Sequence, residues 1–193
     1  MDYYDISGMA PAGSINSSAS DMAKWMTTWI NGGKYQGKEI LPSQYVLEAM
    51  SSQMVVTAAL AGSKTPDVYL ANYGFGWMLS SYRGHYRAEH GGNIDGFSAS
   101  TTIFPTDSIG IVVLVNQNGS AVPSIIRNLI ADRILGLKYK DWESEQFGSA
   151  TEGKKKAKEA QKTRTSSRKI GTKPSHPAAD YTGVYTSPGK ESF

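Results

Sequence analysis

The chain has 193 residues, 39% of them hydrophobic, which suits one ordinary domain, or one domain with a tail, and permits a real core. Without cysteine it has no disulfide, no Cys-ligated zinc and no thiol catalysis; no run reaches the ~18 apolar residues of a membrane span, and the start, M-D-Y-Y-D-I-S-G, lacks the basic and apolar regions of a signal peptide. The formal net charge of +3 is uneven: residues 1–137 hold eight basic and ten acidic side chains, residues 138–173 eleven basic and five acidic.

Met22, Trp25, Met26, Trp29 and Ile30 recur at the three-and-four spacing of one helical face, and this predicts a helix. Ser18 with Asp21 supplies a capping-box-like start and Asn31-Gly32-Gly33 the stop. The stripe reads as core rather than as a ligand surface. A second helix is expected after Pro42, through Tyr45, Leu47 and Met50.

In Y-G-F-G-W-M-L, Tyr73, Phe75, Trp77 and Leu79 alternate with smaller residues, which predicts a strand over 73–79. Residues 85–90 form a short partner in which Tyr86, Ala88 and His90 share a face and His90 stands at the strand's end. S-A-S-T-T-I-F, the turn P-T-D-S and I-G-I-V-V-L-V predict an antiparallel hairpin of strands 98–104 and 109–115. The second of these is almost wholly apolar, as in a central strand buried on both faces. Val122, Ile125, Ile126, Leu129, Ile130 and Ile134 then mark a closing amphipathic helix, with Pro123 in its first turn. The expected architecture is α+β, an antiparallel sheet flanked by helices.

Residues 138–174 read as a basic, disordered linker. The stretch T-E-G-K-K-K-A-K-E-A-Q-K-T-R-T-S-S-R-K-I-G-T-K-P has neither aromatics nor apolar periodicity and cannot offset its ordering entropy by burial. It lacks the aromatic residues that would stack on bases, so a solvated spacer is expected and no nucleic-acid partner.

Taken in order, G-F-G-W, H-G-G, D-G-F-S, I-F-P-T-D and I-G-I-V-V-L-V-N resemble the C-terminal half of the serine β-lactamase and penicillin-binding-protein-like hydrolases, which include esterases and D-aminopeptidases. The resemblance reaches back through P-A-G-S-I-N-S-S-A-S-D-M-A-K-W and covers roughly residues 8–137. It implies a β-lactamase/transpeptidase-like fold whose N-terminal part is missing, over 1–137, with 175–193 as the start of a truncated C-terminal β domain. A-A-D-Y-T-G-V-Y-T-S-P-G would be that domain's first strand.

Alone, a histidine beside glycines reads as a turn residue. The resemblance instead makes His90, Gly91 and Gly92 the family's third motif, which sits beside the nucleophile. A polar side chain there orients a substrate or assists proton movement, and small neighbours let the substrate backbone lie against the strand. By the same resemblance the amide of Asn93 is an oxyanion-hole donor. Glu89 is expected on the opposite strand face and Asp95 in a turn. His85 and His176 have no metal-ligand spacing, so neither a metal nor any other cofactor is expected.

The family's nucleophile lies upstream in Ser-x-x-Lys, followed by Tyr-x-Asn or Ser-x-Asn. Ser166-Ser167-Arg168-Lys169 matches the first pattern only by coincidence, after the last motif and in charged sequence. Ser14-Ile15-Asn16 spells the second, but where the family has a loop. The expectation is therefore a hydrolase portion with no nucleophile of its own, inactive alone. Its full-length parent would be periplasmic or secreted and act on a small-molecule or peptide substrate. The alternative is a non-catalytic fragment or pseudoenzyme that binds or self-associates through an exposed half-core.

Overall fold

A computed structural model describes residues 5–57, 71–167, 169 and 171–185, and the chain forms two units, Met1–Ser149 and Ala150–Phe193. In the first, a 3₁₀ turn at Ser7–Met9 leads into the one-turn helix α1 (Ala10–Gly13) and then α2 (Ala19–Ile30). Ser18 caps α2 as its sequence predicts, its Oγ accepting from the Asp21 amide at 3.1 Å. Met26 and Trp29 are buried, each contributing about 1.5–3 kcal/mol of apolar burial. A tight hairpin, β1 (Lys34–Tyr35) and β2 (Lys38–Glu39), precedes α3 (Ser43–Ala49). That helix follows Pro42 as expected, but it buries Val46 and Ala49 while Leu47 and Tyr45 face solvent.

Six antiparallel strands form the main sheet: β3 (Met54–Thr57), β4 (Ala71–Tyr73), β5 (Met78–Tyr82), β6 (His85–Ile94), β7 (Phe97–Phe104) and β8 (Ile109–Val115). Each pairs with its neighbour in sequence. Leu79, Ala88, Ile103 and Gly110 form one register row across β5 to β8. The face of Leu79, Ala88 and Ile103 packs on Met26, Trp29, Val46, Ala49 and Trp77. The opposite face carries Tyr82, Phe104, Ile111 and Val113, packed on Ile125 and Ala131 of α4 (Val122–Ile134) and on Trp142. The architecture is thus α+β, an antiparallel sheet with helices on both faces.

Two strand expectations are corrected. Residues 73–79 are not one strand: β4 ends at Tyr73, the chain turns, and β5 starts at Met78. The aromatic alternation mimics a two-residue period, but a Cβ on Gly74 would lie 2.0 Å from the Ala49 carbonyl oxygen, so this position is held against α3 and only glycine fits. The β8 strand is not central either. It ends the strand order, and its far edge pairs with no described strand. Nor is it buried on both faces: α4 covers Ile111 and Val113, whereas on the α2 face Val112 is half-buried and Leu114 is exposed.

The closing helix is α4 as predicted, but rotated. It buries Ile125, Asn128, Ala131 and Asp132, leaving Ile126, Leu129, Ile130 and Ile134 exposed. Polar bonds set that rotation: Asp132 accepts from Tyr82 Oη at 2.7 Å and from Trp142 Nε1 at 2.7 Å, and pairs with Arg83 at 2.8 Å. Burial, and then the bond to Asp132, pushes the Tyr82 phenol far above its ordinary pKa.

Trp142 moves the domain boundary past 137, because it is buried and stacks on Tyr82. It also opens the helix α5 (Trp142–Ser166), which corrects the expectation of a disordered 138–174. Asp141 caps it, accepting from the Ser144 amide and hydroxyl at 3.0 and 2.7 Å, and these bonds lower the Asp141 pKa. Lys, Glu, Ala and Gln favour helix intrinsically, and Glu152 pairs with Lys156 one turn on. Low hydrophobicity rules out a packed face, not a solvated helix, and the described side chains of 151–167 are all exposed.

In the second unit, the strand expected near 178–189 is replaced, where described, by a 3₁₀ turn at Ala178–Tyr181. The Tyr181 hydroxyl accepts there from the His176 amide at 3.2 Å. Residues 186–189 of that expected strand lie outside the described residues.

Candidate functional site

The site grows out of the unequal lengths of three strands. The β5–β6 ladder runs from Tyr82↔His85 to Met78↔Glu89 and stops, while β7 continues along β6 to Ile94↔Phe97. From His90 onward, β6 therefore has β7 on one side and no paired strand on the other among the described residues. This is a five-residue open edge inside a sheet, and such an edge offers backbone donors and acceptors to an extended ligand.

Gly91 and Gly92 lie on that edge. Neither has a positive φ, and a Cβ would meet its nearest neighbour, on Ala99, at 3.5 and 3.6 Å, ordinary van der Waals distances. Glycine inside a strand costs about 0.5–1 kcal/mol relative to alanine. Here the fold does not demand that cost, in contrast to Gly74. What two bare positions provide is an unobstructed surface.

His90 is exposed, on the face it shares with Ala88. Its ring is nevertheless held at both nitrogens, with Nδ1 2.7 Å from the Gly91 carbonyl oxygen and Nε2 3.1 Å from Tyr73 Oη. The Tyr73 and His90 rings meet edge-on with centroids 6.1 Å apart. Tyr73 was no candidate from the sequence, where it reads as one more apolar strand residue; pairing across 17 positions leaves no local signal.

Glu89 turns to the other face, where it pairs with Arg87 at 3.0 Å and with Arg127 of α4. Arg87 also bonds Ser80 Oγ at 3.1 Å and lies over the Tyr82 ring; burial lowers its pKa. The carboxylate is thus committed to two guanidinium groups.

Asn93 uses its side chain as a strut. Its Oδ1 accepts from Ser98 Oγ at 2.7 Å and from the Gly119 amide at 2.7 Å. Ser98 also faces the Gln117 carbonyl at 2.7 Å and accepts from the Ser120 amide at 3.2 Å. This knot ties the end of β6 to the start of β7 and to the loop after β8. The Ser98 hydroxyl, buried and facing two oxygen acceptors, is a structural group rather than an activated nucleophile.

The other serines that matched motifs are equally local. Ser166 Oγ and Ser167 Oγ donate to Thr163 and Arg164 carbonyls of their own helix end, and Arg168 lies outside the described residues. Ser14 Oγ donates to the Ala10 carbonyl, and Asn16 bonds back to the Ser14 carbonyl. His85 sits 3.0 Å from both Asp107 carboxylate oxygens. Among the described residues no three His, Cys, Asp or Glu side chains converge as metal ligands would.

Comparisons with known proteins follow the same outline. The Beta-lactamase family profile matches residues 1–135. The chain is 26% identical over 113 residues to a beta-lactamase-like 1 protein of Homo sapiens, covering 58% of this chain and 20% of that protein. It is 28% identical over 148 residues to the unguisins hydrolase UngD of Aspergillus violaceofuscus, covering 72% and 25%. An octameric penicillin-binding protein homologue from Pyrococcus abyssi shares the fold, with a TM-score of 0.52 and 24% identity over 63% of this chain and 25% of that one. The chain spans a quarter or less of the length of each of these proteins.

Proposed function

The chain belongs to the beta-lactamase family, and from that premise we propose that it is the C-terminal portion of a serine hydrolase domain acting on an ester, a β-lactam or a D-amino-acid peptide through an acyl-enzyme. The observation that carries this reading is the open edge of β6, where His90, Gly91 and Gly92 lie beyond the end of the β5 ladder. A substrate backbone would pair along the bare glycines, His90 would hold the Gly91 carbonyl in place on that edge, and the Asn93 amide would stabilise the oxyanion formed on the attacked carbonyl.

The serine that would be acylated, activated by a lysine in Ser-x-x-Lys, is not among this chain's motifs. The family's catalytic step joins the serine oxygen to the carbonyl carbon, expels the leaving group with a proton, and then reverses with water. This chain supplies one wall of that site and is inactive alone. The first test mixes the purified chain with a chromogenic ester and a serine-reactive acylating probe; no turnover and no labelled serine are expected. Co-expression with the preceding portion of a family hydrolase should restore labelling, on that portion's serine. Labelling of a serine in this chain alone would overturn the reading.

A second reading has its own observation. The far edge of β8 pairs with no strand among the described residues, and α4 exposes Ile126, Leu129, Ile130 and Ile134. An apolar stripe beside a free strand edge favours a chain that acts by association, as a binding or oligomerisation module, with no chemistry of its own.

A further inference from the structure

The His90 ring is bonded at both nitrogens, and the two partners differ in kind. The Gly91 carbonyl can only accept, so Nδ1, 2.7 Å away, carries the hydrogen. A neutral imidazole has a single N–H, which leaves Nε2 with a lone pair. The group 3.1 Å from Nε2 is the Tyr73 hydroxyl, and it must therefore donate.

We propose that Tyr73 is the positioning residue of His90, holding the neutral imidazole in its Nδ1–H tautomer with Nε2 closed by the phenol. The meaning of this for catalysis rests on His90 belonging to the site proposed above. The neutral ring then offers a substrate no free nitrogen, so His90 does not act as a base in this arrangement. The acceptor left to the pair is the Tyr73 oxygen, and the Nδ1 bond fixes the carbonyl of Gly91 on the open edge. Orientation of the glycine edge, rather than proton abstraction, is what the pair provides.

The chain contains three histidines, so its ring nitrogens are separable by long-range proton–nitrogen correlation in the uniformly ¹⁵N-labelled protein, at a pH where imidazole is neutral. In the native chain His90 should show a protonated Nδ1 and an unprotonated Nε2. In Tyr73→Phe, which removes the donor and keeps the ring, both nitrogens should move toward the averaged values of exchanging tautomers. His85 is the internal control, since Asp107 holds its Nδ1–H independently of Tyr73. An Nε2–H form in the native chain overturns the proposal, as does an unchanged His90 pattern in the variant. If the variant also loses the His85 pattern, and so its fold, the native protein decides: a through-bond coupling between the Tyr73 hydroxyl proton and His90 Nε2 supports the assignment, and its absence overturns it. These readouts need no turnover. The stated tautomer without restorable acylation would sink the hydrolase reading alone, and the opposite tautomer with restored acylation would sink this one alone.

Discussion

Asp132 is the side chain whose loss should cost the fold most. It is 5% exposed and accepts from Tyr82 and Trp142, themselves 5% and 7% exposed, and from Arg83. In Asp132→Ala all three donors lose the carboxylate, although Arg83 keeps the Lys138 carbonyl at 2.8 Å. The Arg83 side chain is 21% exposed and regains water, so its share is small. Tyr82 and Trp142 are buried away from water, Tyr82 keeping only the Asn128 carbonyl at 3.4 Å, and hydrogen bonds to a charged group contribute about 1.5–3 kcal/mol each. The expected loss is about 3–5 kcal/mol, a large part of the margin of a domain whose total stability is about 5–15 kcal/mol. Asp132→Asn should cost far less, about 1–2 kcal/mol. With its carbonyl oxygen turned toward Trp142 and Arg83, its amide can donate to the Tyr82 oxygen. Urea denaturation followed by far-ultraviolet circular dichroism measures both. A midpoint for Asp132→Ala equal to that of Asp132→Asn, or to the native one, would refute the idea that this carboxylate sets the rotation of α4.

The glycines should separate by role. Gly91→Ala and Gly92→Ala are expected to leave stability unchanged or raise it by about 0.5–1 kcal/mol, yet to weaken acylation in the reconstituted hydrolase. Gly74→Ala, forced against the Ala49 carbonyl, should destabilise by about 1–3 kcal/mol in the same melts. Tyr82 should remain protonated when exposed tyrosines ionise, giving a late step in phenolate absorbance. Because its folded pKa is raised, its contribution to stability is complete below the unfolded value of about 10 and is lost as pH climbs above it; a melt unchanged on alkalinisation past that point would contradict this. On the association reading, Ile130→Lys on the exposed face of α4 should lower the sedimentation coefficient toward the monomer while leaving the melt in place, and a native chain that already sediments as a strict monomer would remove the need for that face.

His90 does not stand at the end of its strand, where it was expected, but lies within β6, which runs on to Ile94 along β7. Signals carried within a few residues of one another were legible in order: the Ser18 cap and the Met26 and Trp29 stripe of α2, the hairpin of β7 and β8, and the limits of α4. Each depends on local backbone geometry and on the period at which apolar side chains recur, and both are written in consecutive residues. Where local signals misled, a distant partner had outweighed them. Gly74 broke an alternating run because α3 lies against it, Trp142 joined the core from charged sequence because Tyr82 and Asp132 receive it, and helix α5 formed where low hydrophobicity spoke only about packing. The open edge of β6 depends on where β5 stops, the Asn93–Ser98 knot on where the loop after β8 returns, and the hold on His90 on a tyrosine 17 positions earlier. The chain's own order determined which elements form and which residues carry polar chemistry; tertiary structure alone decided which edges stay open and which polar groups are tied together, because hydrogen bonds and close packing act across space between residues with no periodic relation in sequence.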